Sequence, residues 1–167
     1  MPAKGRTDSS IGISSREKPG NRALRKGRAS LPGHAYLVTT VTRGRAPLFD
    51  DFTTGWAAAI CFDDADILGD ARMLAWVLMP DHVHWLIQLG DIDSLGAVIN
   101  RLKSASARRA NRVLHRKGAL WARAFHDHAL RAEEDLQSSA RYVISNPLRA
   151  GLVARIGDYP FWNAVWV

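Results

Sequence analysis

The chain has 167 residues, 47% of them hydrophobic, which suits one domain with a real core plus a tail. Its lone cysteine, Cys61, excludes an internal disulfide framework and points to a reducing cytoplasm; no run of about 18 apolar residues is present to cross a bilayer, and the basic N-terminus lacks the apolar stretch of a secretory signal. A formal net charge of +7 calls for a polyanionic partner, nucleic acid before an anionic membrane surface.

Residues 1–30 are rich in Gly, Ser, Lys and Arg without apolar periodicity, which predicts a disordered basic arm; Met1 to Arg28 hold eight Lys/Arg against Asp8 and Glu17. Residues 31–167 read as one domain. A first strand is expected in "GHAYLVTTVTR". Pro47 and the Asp50–Asp51 pair break the chain before one helix across "FTTGWAAAICFDDADIL", where Cys61 reads as a buried structural thiol rather than a nucleophile. "ARMLAWVLMP" and "HVHWLIQLG" follow as two strands, and the link Pro80–Asp81 predicts a hairpin.

The strongest helical pattern is "DSLGAVINRLKSASARRANRVLHRKG". Leu95, Val98, Ile99, Leu102, Ala105 and Val113 recur at helical spacing, Ser94 can cap the start and Gly118 stops it. Arg101, Arg108 and Arg112 lie off that stripe, and from Arg101 to Arg123 there are eight Lys/Arg, Lys103 among them, and no acid, so this helix is a candidate phosphate-binding surface with Arg101, Lys103, Arg108 and Arg112 as its candidate DNA contacts. "ALWARAFHDHAL" reads as a further strand. "AEEDLQSSARYVISNP" reads as a last helix, with Glu133, Glu134 and Asp135 placed at the positive end of its dipole. The aromatic tail "LVARIGDYPFWNAVWV" is expected to lie back on the core. The order β-α-β-β-α-β-α describes an α+β protein, a ferredoxin/RRM-like antiparallel sheet with helices packed on it.

In "HVHWLIQL" strand alternation puts Val83, Trp85, Ile87 and Leu89 on one wholly apolar face and His82 with His84 on the other. Residues two apart on a strand are about 7 Å apart at Cα, close enough for both imidazoles to reach one divalent ion, although two surface histidines on a half-exposed strand fit the same pattern. A second pair, His126 and His128, also shares a strand face, with Asp127 opposite, and could serve as supporting or DNA-facing residues. In the last helix Leu136, Ala140, Val143 and Pro147 form an apolar stripe, while Tyr142 and Asn146 stack off it at i and i+4. Asn146 offers an amide oxygen to a hard cation, or it simply precedes a proline at a helix end.

Together, "MPDHVHWLIQL", "RYVISNPLRAGLV", "YLVTTVTRGRAPLF" and "LWARAFHDHALR" resemble the single-tyrosine HUH transposases, and within them the REP-associated tyrosine transposases. The resemblance covers about residues 33 to 160. It departs at Asp81, where asparagine is also familiar. It implies the HUH nuclease fold, Tyr142 as nucleophile, and a divalent metal, Mg²⁺ or Mn²⁺, held by His82, His84 and Asn146. The implied substrate is single-stranded DNA beside hairpins, the repetitive extragenic palindromes; cleavage would join Tyr142 to the 5′ phosphate and free a 3′ hydroxyl. A monomer or homodimer, cytoplasmic and nucleoid-associated, is expected. Trp121, Trp162 and Trp166 could stack on unpaired bases, but a place in the core is the role expected first of each. Two other classes remain: a nucleic-acid-binding module without catalysis, and a metal-dependent hydrolase in which Tyr142 is dispensable.

Overall fold

The computed structural model describes residues 30–131 and 135–166. The expected arm, up to residue 29, and the dipole-facing Glu133 and Glu134 lie outside the described residues. The strands are β1 (Ala35–Val41), β2 (Arg72–Leu78), β3 (His82–Gln88), β4 (His126–Ala129) and β5 (Trp162–Ala164); the helices are α1 (Phe52–Ala59), α2 (Ala65–Leu68), α3 (Leu95–Val113), α4 (Leu136–Ile144) and α5 (Asn146–Arg149). All strand pairs are antiparallel and the sheet order is β4-β1-β3-β2-β5. The first four strands thus reproduce the ferredoxin-like arrangement, and β5 adds an edge beyond β2.

Local chemistry starts the helices where the sequence suggests. Ser94 accepts from the backbone N–H of Ala97 at 3.2 Å, Asp51 from Thr54 at 2.8 Å, and Asp135 from Gln137 and Ser138. The hairpin forms as predicted: Met79 N–H donates to the carbonyl of His82, so Pro80 and Asp81 alone make the turn.

Four elements differ from expectation. The single helix predicted for residues 52–68 is α1 and the short α2, broken between Ile60 and Asp64. Asp64 caps α2 through the N–H of Asp66 at 3.0 Å, a side-chain bond that competes with a continuous ladder. The break also lets Phe62 wedge edge-on against both Trp76 and Trp85, ring centroids 5.2 and 5.3 Å away. Helix α3 ends at Val113 rather than at Gly118: His115 takes a left-handed φ of 50°, and Asn111 donates to the carbonyl of Gly118 at 2.8 Å. The strand expected across "ALWARAFHDHAL" pairs only at its end. Trp121 instead turns into the core, where its indole N–H donates to Ser106 Oγ at 2.9 Å. The tail does pack on the core, but it also contributes β5, and Gly55 is what admits Phe161: a Cβ there would stand 2.6 Å from that ring.

The sheet is covered on both faces. One core joins Val83, Trp85 and Ile87 of β3 to Leu95, Val98, Ile99 and Leu102 of α3 and to Ala58 of α1. The other joins Leu86 of β3, Ala75 and Val77 of β2 and Ala164 of β5 to Ala140 and Val143 of α4. Cys61 is fully buried and donates to the carbonyl of Ala58 at 3.1 Å; burial pushes its thiol up to about 11, which suits a structural residue.

Candidate active site

His82 and His84 stand on the face of β3 that α4 covers. Side chains alternate along a strand; Val83 and Trp85 belong to the core beneath α3, whereas Leu86, two residues beyond His84, packs with Val143 and Ala140 of α4. The helix that carries Tyr142 and the histidine pair are therefore on one side of the sheet. The apolar stripe read from the sequence is what docks this helix: Ala140, Val143 and Pro147 are buried and Leu136 packs against the same cluster. Tyr142 remains 45% exposed, with the Arg149 guanidinium 4.9 Å from its ring centroid.

The two imidazoles lie 4.9 Å apart at their centroids, nearly perpendicular, and each has its Nδ1 engaged. His82 Nδ1 is 2.6 Å from Asp81 Oδ1. An ionised carboxylate only accepts, so the proton in this bond sits on His82 Nδ1. Burial alone would raise the Asp81 carboxyl, but hydrogen bonds from His82 and Arg45 outweigh it and hold the carboxyl below the ordinary range. Arg45 Nη1 sits 3.1 Å from Asp81 Oδ2, completing a chain from Arg45 through Asp81 to His82. His84 Nδ1 shares a 2.8 Å hydrogen bond with Thr39 Oγ1, its cross-strand partner on β1. Burial, with a smaller contribution from His82, pushes His84 down to about 4, so the ring is neutral near neutral pH. An imidazole whose Nδ1 is held by a hydrogen bond can, when neutral, offer Nε2 to a divalent cation.

At the end of α4 the helix breaks before Pro147, and Asn146 folds its amide back: Nδ2 donates to the carbonyls of Tyr142 at 3.1 Å and Val143 at 2.9 Å. Both bonds use the nitrogen, which commits the oxygen of the same amide to neither. Among the described residues no group of three His, Cys, Asp or Glu could hold a metal; the amide oxygen of Asn146 is a donor of another kind.

The predicted basic surface is separate from this pair. Helix α3 packs on the opposite face of the sheet. There Arg101 is turned inward: its Nε donates to the carbonyl of Ile67 at 2.6 Å, and its Nη atoms reach Asp93 and the carbonyl of Leu68. Lys103 Nζ donates to the carbonyls of Ala122 and Arg123. Arg108 and Arg112 are exposed. Of the three tryptophans, Trp121 is a core residue, Trp162 donates to the carbonyl of Ile156 at 3.1 Å, and Trp166 is exposed. Sequence reasoning did not single out Thr39 or Arg45. Strand alternation marks Thr39 as sharing a face with Leu37 and Val41, but which strand lies beside it is not written locally.

A family model described as "Transposase IS200 like" matches residues 31–146. Among curated proteins, the chain is 32% identical over 98 residues to one from Haemophilus influenzae named as a candidate REP-associated tyrosine transposase, a match covering 53% of this chain and 56% of that protein. It is 30% identical over 91 residues to a REP-associated tyrosine transposase of Escherichia coli, covering 52% of this chain and 50% of the relative. The chain thus matches about half the length of these curated relatives. Among solved structures, a REP-associated tyrosine transposase bound to a REP hairpin superposes with a TM-score of 0.61 at 23% identity, over 81% of this chain and 79% of that one, and shows the fold. A candidate transposase from Deinococcus radiodurans gives a TM-score of 0.50 at 26% identity, over 73% and 96%.

Proposed function

Because the chain belongs to the IS200-like transposase family, we propose that it cleaves and rejoins single-stranded DNA beside hairpins of the REP type, with Tyr142 as the nucleophile. The observation that carries this reading is the docking of the Tyr142 helix on the same sheet face as two histidines whose Nδ1 atoms are both engaged.

A phosphodiester resists attack because its oxygens are already anionic. His82, His84 and Asn146 are the residues that would hold a divalent cation, Mg²⁺ or Mn²⁺, which when bound supplies charge neutralisation at the scissile phosphate. The chain's own residues supply the rest. Thr39 and Asp81 fix the two imidazole rings. Pro147 and the buried stripe of α4 dock the helix that carries Tyr142 on this face, and Arg149 places a cation beside its ring. The Tyr142 oxygen attacks phosphorus, forms a 5′-phosphotyrosine and releases the 3′ hydroxyl. Because that hydroxyl can attack the phosphotyrosine, strands can be rejoined without a nucleotide cofactor. Arg108 and Arg112, exposed on α3, are assigned to hairpin phosphates; Arg101 and Lys103 spend their hydrogen bonds within the fold.

Labelled single-stranded DNA flanking a REP-type hairpin, incubated with the protein and Mn²⁺, tests the reading. A covalent protein–DNA adduct is expected, and Tyr142→Phe should abolish it while hairpin affinity stays within a few-fold. Adduct formation by Tyr142→Phe would remove Tyr142 from the role. Hairpin binding with no adduct at any metal concentration would instead favour a non-catalytic binding module.

A further inference from the structure

Strand β4 extends the row in which His84 stands. Its register with β1 sets His126 beside Thr39, and the register of β1 with β3 sets Thr39 beside His84. Cross-strand partners project to the same face. His126 therefore shares the face of His84 with only Thr39 between them, about 10 Å away at Cα from two strand spacings of about 4.8 Å. It is exposed and makes no side-chain hydrogen bond among the described residues. His128 falls one row further, opposite Leu37, beside the apolar row of Leu86, and Asp127 points to the other face.

The helix of Tyr142 approaches from the other flank, since α4 packs on β2, β3 and β5. In phosphoryl transfer the attacking and leaving oxygens stand roughly in line across phosphorus. With the phosphate over His82 and His84 and Tyr142 entering from the β2–β5 side, the leaving oxygen is directed toward β1 and β4, where His126 stands. We infer that His126 is the catalytic acid–base group for the 3′-oxygen of the DNA, an assignment that rests on the strand-cleavage reading above.

The step balances. In cleavage the Tyr142 O–P bond forms while the P–O3′ bond breaks; the phenol proton leaves to water, and the His126 imidazolium gives its proton to O3′, becoming neutral imidazole. In rejoining, neutral His126 takes the proton from the 3′ hydroxyl as that oxygen attacks phosphorus, and the departing Tyr142 oxygen is reprotonated from water. One imidazole serves both directions, the usual reason histidine is chosen for reversible proton transfer.

A substrate whose scissile 3′-oxygen is replaced by sulfur tests this, because a thiolate leaves without being protonated. With Mn²⁺, His126→Ala should slow single-turnover cleavage of the oxygen substrate by about 10²–10⁴-fold and that of the sulfur substrate by no more than a few-fold. His126→Asn, which keeps a polar side chain on this exposed strand, should behave alike, and metal-free hairpin binding by both variants should match wild type. Equal losses on the two substrates, or no loss on the oxygen substrate, overturn the assignment. If binding by His126→Ala is impaired, the substrate comparison in His126→Asn decides by the same two criteria. Absence of any adduct with wild-type protein on either substrate overturns the strand-cleavage reading itself, and the role of His126 with it.

Discussion

Thr39→Val isolates the contribution of one hydroxyl to the histidine pair. Valine keeps the β-branched shape that a strand favours, so the main loss is the 2.8 Å hydrogen bond to His84 Nδ1. That nitrogen belongs to a largely buried ring, and an unsatisfied buried polar atom costs about 1–3 kcal/mol. Without the hydroxyl, nothing on β1 holds Nδ1, and the ring loses the contact that fixes its orientation. Losing such an outer partner lowers metal affinity by about 10–100-fold, or about 1.4–2.7 kcal/mol. The expected result is a matching rise in the Mn²⁺ concentration that gives half-maximal cleavage, with the rate at saturating Mn²⁺ much less affected. A loss of about 1 kcal/mol in stability should appear as a melting point about 2–4 °C lower. Thr39→Ser restores the hydroxyl and should recover most of the metal affinity. An unchanged Mn²⁺ requirement in Thr39→Val, with the protein folded, would refute the view that Thr39 orients a metal-binding imidazole.

Asn146→Ala should also raise the Mn²⁺ requirement and lower cleavage, and His84→Ala should do so more severely; a titration in which Asn146→Ala matches wild type removes the amide from the ligand set. The metal-free protein should lose stability in acid through His84. Its folded-state value is pushed down to about 4 against 6.5 for the free side chain, so its contribution is whole above pH 6.5, falls as the unfolded chain takes up the proton, and is gone below about pH 4. At about 1.36 kcal/mol per pH unit the loss is at most roughly 3 kcal/mol, read from urea midpoints at several pH values; an equal decline in His84→Gln would show that other groups cause it. Deleting residues 1–28 removes eight basic and two acidic side chains, a formal +6, so DNA affinity should drop and its dependence on salt should flatten. An unaltered salt slope would show that this segment does not touch DNA.

Periodicity alone determined which residues of this chain share a face. Alternation in "HVHWLIQL" separated the histidines from Val83, Trp85 and Ile87, and helical spacing separated Tyr142 from the stripe of Ala140, Val143 and Pro147, because a side chain's direction follows from backbone geometry within a few residues. The same local rules marked Ser94 as a cap and Pro80–Asp81 as a turn. Where those faces meet was decided by contacts between distant segments. Leu86 has the alternation of a solvent-side residue yet is fully buried, because α4, some fifty positions later in the chain, closes over it. Thr39 meets His84 and His126 only through the register of three strands, and register is set by pairing that no single segment records. Arg101 belongs by its spacing to an outward basic face, but Asp93 and the carbonyls of Ile67 and Leu68 draw it inward. A charge pattern lists the cations of a helix, whereas the acceptors that claim them come from elsewhere in the fold.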